Sequence, residues 1–217
     1  MDQAAFYQSS RSRFADLVRD LPDEELDCPV PATPGLSVRD VVAHLAGLLA
    51  DVVAGRTEGL GTDEATARQV AERRGRPLAD VLSEWESTPL PDEVASWLPA
   101  DVVIHEQDVR GALGRPGATD TPEFDAMLNG LAWWTGSKLE KSGLPALRIV
   151  AGPQEWTLGQ GEVGATLTAS PEVVGRVLSG RRSAAQVRTL PWDGDCSPYL
   201  DHISVFGPLP EADVIER

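Results

Sequence analysis

The chain contains three histidines, His44, His105 and His202. His105 follows Asp101 by four residues, so on a helix the two side chains share one face and can grip one ion from the same side. His44 lies in a separate segment of helical periodicity, and facing helices of a bundle bring such residues to a common core ion. Two imidazoles and one carboxylate suit zinc, or alternatively nickel, iron or manganese, and leave positions open for water or substrate. Open positions point to catalysis rather than to a structural staple. On spacing alone, the same residues also fit a solvated face or a hydrogen-bonded core histidine.

The elements that must carry these residues are written in the apolar spacing. Asp2 is an N-cap for a first helix over residues 2–20, with Phe6, Phe14, Leu17 and Val18 close to one face. A proline-rich stretch from Pro22 to Gly35 predicts a short helical turn and an extended connection. Ser37 with Asp40 three residues on forms a capping-box pattern ahead of Val38, Val41, Val42, Leu45, Leu48 and Leu49, predicting a second helix that ends near Gly55 and carries His44. Residues 56–76 predict a loop with a helical piece, and Leu78 to Trp85 a further helix. Asp101 and His105 fall on a helix from about Pro99 to Leu113, stopped by Gly114 and Pro116. Pro122 to Lys141 predicts another.

After Gly143 the pattern changes. Leu147–Val150, Glu155–Leu158 and Ala165–Ala169 are short β-prone runs. Pro171–Leu178, Ala184–Leu190 and Pro198–Val205 read as helical. The expected fold class is therefore α+β, with a bundle of four or so main helices over residues 1–143 and a small α/β domain over 144–217.

Composition narrows the partners. Thirty-four acidic against nineteen basic side chains give a formal charge of −15, which repels phosphate backbones and anionic membrane surfaces. Nucleic acid and membrane are thus not expected partners. No apolar run approaches the roughly 20 residues that span a bilayer, and Met1-Asp2-Gln3 does not open a secretory pattern, so the expected location is the cytoplasm. Cys28 and Cys196 lack the spacing of a zinc knuckle or redox pair. Asp51 and Glu106 read as solvated acids, and His202 as a hydrogen-bonded structural histidine. Trp133 and Trp134 read as core, and Trp192 as a turn residue in Pro191-Trp192-Asp193-Gly194-Asp195. The calcium-loop spacing is missing around Asp193 and Asp195, and no P-loop, GxGxxG or GxSxG motif occurs.

The segment Ser37-Val38-Arg39-Asp40-Val41-Val42-Ala43-His44-Leu45, followed by Asp101-Val102-Val103-Ile104-His105-Glu106-Gln107-Asp108-Val109-Arg110-Gly111, resembles the mycothiol-dependent maleylpyruvate isomerase family. Gly180-Arg181 and Phe206-Gly207-Pro208 resemble that family's smaller C-terminal domain. The resemblance implies a DinB-like four-helix bundle followed by a small α/β C-terminal domain. It makes His44, Asp101 and His105 the metal ligands, with Asp101 standing where the family usually has glutamate. It implies a divalent metal, zinc first, and mycothiol as cofactors, and an electrophilic small molecule as substrate. The implied chemistry is thiolate addition, as in the conversion of maleylpyruvate to fumarylpyruvate. A mycothiol S-transferase or natural-product tailoring enzyme fits the same scaffold, and a binding or regulatory protein that has lost the metal is the non-enzymatic alternative. Asp108 fits the family's H-x2-D spacing and reads as a structural residue or a ligand-orienting one. Arg181 is a candidate partner for a carboxylate of the substrate or thiol cofactor. No residue is assigned as catalytic.

Overall fold

The computed structural model describes residues 2–217 except 92 and 94. The chain divides into two compact units, Met1–Pro116 with Glu216–Arg217, and Gly117–Ile215.

The first unit is helical: α1 (Gln3–Val18), α2 (Asp23–Leu26), α3 (Val38–Val53), α4 (Asp63–Ala71), α5 (Leu78–Ser87) and α6 (Trp97–Leu113). Local chemistry sets the ends. Asp2 accepts from the Ala4 amide, which satisfies an otherwise orphan donor of α1. At α3 both halves of the Ser37/Asp40 capping box are formed. Gly114 closes α6 in the left-handed conformation at φ 64°, where a Cβ is disfavoured. Pro99 sits in the first turn of α6, where a missing amide hydrogen costs no helical bond.

Four longer helices, α1, α3, α5 and α6, make the bundle, with α1 against α6 and α3 against α5. Their apolar faces merge into one core that includes Tyr7, Phe14, Val38, Leu45, Leu49, Leu82, Trp85, Leu98, Val102 and Val109. Trp85 anchors it. Its ring stands edge-on to Phe14 at 5.8 Å between centroids, and its indole N–H donates to the Tyr7 hydroxyl at 2.8 Å. A fully buried indole with its one donor satisfied contributes its whole apolar area without a polar penalty.

The second unit begins with α7 (Pro122–Ser142), followed by β1 (Ala146–Ala151), β2 (Gln154–Leu158), β3 (Val163–Ala169), α8 (Pro171–Leu178), α9 (Ala184–Arg188) and β4 (Trp192–Gly194). The sheet order is β2-β1-β3-β4, with β1 antiparallel to β2, parallel to β3, and β3 antiparallel to β4. Among the described residues no helix is long and apolar enough to cross a membrane.

Four expectations need correction. The division falls ahead of α7 rather than at 143, because α7 packs on β2 and α8. Gly175 of α8 faces Phe124, Met127 and Leu128 of α7 closely enough that the absent side chain matters. Trp192 is not in a turn but in β4, opposite Leu167, a strand too short to show alternation. Pro198–Val205 is not a helix; only a 3-10 turn, Ser197–Tyr199, forms before the chain bends and Val205 donates to the Leu178 carbonyl. Trp133 is not core but 68% exposed on α7.

Replacing Trp85 by alanine is expected to cost about 3–5 kcal/mol, the range for emptying a large aromatic site. Urea denaturation followed by circular dichroism measures it, and Trp85→Phe, which keeps most of the packing, is expected to lose much less.

Candidate metal centre

Helix geometry brings three of the predicted residues to one point. Asp101 and His105 are one turn apart on α6, and His44 reaches the same place from α3. One ligand atom from each lies within 4.8 Å of the others. His44 Nε2 is 3.9 Å from Asp101 Oδ2, and His105 Nε2 is 3.7 Å from Asp101 Oδ1, so the two carboxylate oxygens face one imidazole each. The rings stand edge to face with centroids 5.2 Å apart. Aspartate, although a methylene shorter than glutamate, therefore reaches both histidines.

The donor set fits a divalent ion. Asp101 Oδ2 is buried and has no hydrogen-bond partner among the described residues. Such an atom is costly to bury unless a cation or donor meets it. Tetrahedral ligands about 2.1 Å from zinc stand about 3.4 Å apart. The three ligand atoms, within 4.8 Å of one another, would close in by up to about 1.4 Å on a bound ion. Burial pushes the His44 pKa down, and the neighbouring His105 pushes it further, outweighing the opposite pull of Asp101, Gln69 and Asp51. A neutral imidazole keeps a lone pair for a metal.

The far side of each ring is held by a second layer of polar groups. His105 Nδ1 donates to Asp108 Oδ2 at 3.0 Å, and Asp108 is fully buried on the same face of α6. This is the carboxylate–histidine arrangement that fixes a ligand ring and its tautomer. His44 Nδ1 lies 2.8 Å from Gln69 Oε1 of α4, and Gln69 Nε2 donates to Asp51 Oδ2 at 2.7 Å. Asp51 in turn receives Arg56 Nη2 at 2.6 Å on Oδ1 and Arg68 Nη2 at 2.6 Å on Oδ2.

Two acids expected to be solvated are therefore interior. Asp51 and Glu106 are each 0% exposed, and each is bound by two arginines. Glu106 takes Arg13 of α1 on both oxygens, at 2.9 and 3.1 Å, and Arg110 at 2.9 Å, which ties α1 to α6. Charge-assisted pairs of this kind make burial of a carboxylate tolerable. Burial alone would raise the Asp51 carboxyl, but hydrogen bonds from Arg68, Gln69 and Arg56 outweigh it and hold the group at about 2.

Gln69 was not among the residues picked out by sequence, because an amide in a charged, glycine-containing stretch carries no motif. The available signal was on the other helix: His44, Gly47 and Asp51 recur at i, i+3 and i+7, a polar stripe along α3. Arg181 lies in the second unit, donating to the Ser179 carbonyl at 2.7 Å with its guanidinium 5.7 Å from the Phe206 ring centre. His202 is half-buried in the same unit, its amide bonded to the Tyr199 carbonyl. Cys28 and Cys196 are both free thiols.

Comparison with known proteins bears on this centre. Residues 7–89 match the family model described as the mycothiol maleylpyruvate isomerase N-terminal domain. The matched span holds His44, Gln69 and Asp51, while Asp101 and His105 lie beyond it. Two solved structures share the fold: the mycothiol-dependent maleylpyruvate isomerase, at TM-score 0.52, and a histidine-to-alanine mutant of it, at 0.51. Each is 13% identical to this chain, covering 83% of it and 88% of the solved chain. No curated protein matches the sequence. With these likenesses the α+β architecture, a helical bundle followed by a small α/β part, agrees with the expectation from sequence.

Asp51 gives a pH dependence with a definite sign. Its carboxyl is depressed in the fold from 3.8 to about 2, so the stabilisation is fully present above the unfolded value and lost as pH falls through about 2. The difference is worth about 2 kcal/mol at 1.36 kcal/mol per unit. Denaturation curves between about pH 4 and pH 2 are expected to be flatter for Asp51→Asn than for the parent by that amount.

Proposed function

We propose that the protein is a mycothiol-dependent metalloenzyme of the maleylpyruvate isomerase type, with His44, Asp101 and His105 as the ligands of a divalent metal, zinc first. The observation that carries this reading is the half-buried Asp101 carboxylate, set between two imidazole nitrogens, whose buried Oδ2 has no hydrogen-bond partner among the described residues. The family match of residues 7–89 supplies the thiol and the class of reaction.

A divalent ion at this centre supplies Lewis acidity that keeps a nearby thiol ionised at neutral pH. With a divalent ion, a set of one carboxylate and two neutral imidazoles would carry a net charge of +1, which attracts an incoming thiolate. Asp108 and Gln69 hold the two rings in place, which limits reorganisation when substrate binds. Burial of both histidines restricts access of bulk water to the ligand atoms.

The proposed reaction balances without an oxidant or reductant. The thiolate sulfur adds to the conjugated carbon–carbon double bond of the cis substrate, and the displaced electron pair moves to the adjacent carbonyl oxygen as an enolate. The former double bond, now single, rotates. Return of the electron pair expels the same thiolate and restores the double bond in the trans form. Neither Cys28 nor Cys196 is required. Arg181 is proposed as the partner of a carboxylate on the substrate, a role its planar paired donors suit. A reduced thiol cofactor and two free cysteines fit a cytoplasmic setting.

Zinc-loaded protein incubated with mycothiol and maleylpyruvate is expected to produce fumarylpyruvate, with no conversion when the thiol is omitted. Folded His44→Ala and Asp101→Ala are each expected to lose at least about a hundredfold in rate. Conversion independent of thiol, or undiminished in both variants, contradicts the proposal.

A further inference from the structure

Gln69 is a neutral side chain on a helix that carries none of the proposed ligands, yet it is 1% exposed and forms the hydrogen bond to His44. Its orientation is dictated from behind. The Asp51 carboxylate, ionised and bound by Arg56 and Arg68, can only accept, so the edge of the amide facing it at 2.7 Å is the NH2 group. The carbonyl oxygen is then the edge facing His44 Nδ1 at 2.8 Å. An acceptor at that distance requires the proton on Nδ1. In a neutral imidazole the lone pair is left on Nε2, the atom that faces Asp101.

Space for this amide is provided by Gly47, one turn along α3 from His44 and one turn before Asp51. A Cβ on Gly47 would lie 2.6 Å from Gln69 Cβ, 2.8 Å from Gln69 Cγ and 2.8 Å from Arg73 Nη1. Gln69 Cβ is fixed to its backbone, so relief requires α4 to move rather than a side-chain tip to swing aside. Glycine inside a helix is otherwise unfavourable by about 1 kcal/mol relative to alanine. Its presence here is accounted for by the crossing side chain.

We propose that Gln69 is a positioning residue for His44: oriented by Asp51 and admitted by Gly47, it locks the imidazole as the Nδ1–H tautomer with the Nε2 lone pair turned toward the metal position. The functional meaning of the lock rests on the reading of His44 as a ligand. The tautomer itself is a property of the metal-free protein, and the test separates the two.

The full-length protein labelled with 15N-histidine, freed of metal and held at about pH 8, above the ordinary imidazole range, reports the tautomer in long-range 1H–15N spectra, with His44 assigned by its loss in His44→Gln. The parent is expected to show protonated Nδ1 and bare Nε2. Gln69→Leu and Gly47→Ala are expected to shift His44 toward the Nε2–H form and to weaken zinc binding about tenfold to a hundredfold in chelator competition. Gly47→Ala raises intrinsic helix propensity, so its loss of zinc affinity cannot come from a weakened helix. The double variant Gln69→Glu with Asp51→Asn keeps an acceptor toward His44 and a donor from position 51, and is expected to restore both tautomer and affinity. A parent His44 in the Nε2–H form overturns the proposal, as does folded Gln69→Leu or Gly47→Ala with tautomer unchanged and zinc affinity within twofold of the parent. A tautomer that shifts as expected in a protein that binds no zinc supports the lock and removes only the metal reading.

Discussion

Burying a carboxylate oxygen between two imidazoles is unfavourable unless something positive joins them, and the polar groups of α3, α4 and α6 around Asp101 Oδ2 are organised around that demand. Asp101 contributes a carboxylate, and burial together with the neighbouring His105 pushes His44 toward its neutral form, which offers a nitrogen rather than a compensating cation. The remaining polar atoms of the two rings are not left to chance. Each Nδ1 meets an acceptor: Asp108 for His105, and Gln69, oriented by Asp51, for His44. The His44 chain ends on Arg56 and Arg68, both partly exposed, where charge can be shared with solvent. A half-satisfied interior network would destabilise the bundle, so this one is extended until it reaches water.

Helical periodicity makes the arrangement possible. On α6, positions 101, 105 and 108 follow i, i+4 and i+7, so one stripe supplies a carboxylate ligand, an imidazole and the group that orients it. On α3, positions 44, 47 and 51 follow i, i+3 and i+7, which places the imidazole, the gap for Gln69 and the anchoring carboxylate in line. The opposite faces of both helices carry the valines and leucines of the core. The bundle is thus rigid on the side away from the centre, and ligand geometry is set by packed backbone rather than by mobile loops.

Much of this was legible in the residues. The Ser37/Asp40 box, Gly114 and Pro122 marked helix ends because capping and breaking are local chemistry, and the Asp101–His105 spacing put two candidate donors on one face. Tertiary information was not legible. Asp51 and Glu106 looked solvated because an isolated acid in a helix usually is; only the arginines that meet them, from positions as distant as Arg13 and Arg68, make their burial tolerable. Trp133 looked like core because tryptophan usually is, yet it lies on an exposed face of α7. The division at 116 rather than 143 was hidden because the periodicity of α7 states that one face is buried, not which neighbour buries it. Gln69 was invisible for the same reason: an amide gains a role only from what stands on either side of it.

The central claim is that His44, Asp101 and His105 converge on one ion. Anomalous diffraction from crystals of the zinc-loaded protein, collected on either side of the zinc edge, tests it most directly. The account predicts one strong peak bonded to His44 Nε2, His105 Nε2 and an Asp101 carboxylate oxygen at about 2.0–2.2 Å. No peak at this position under saturating zinc, or a peak that Asp101 does not contact, would contradict it.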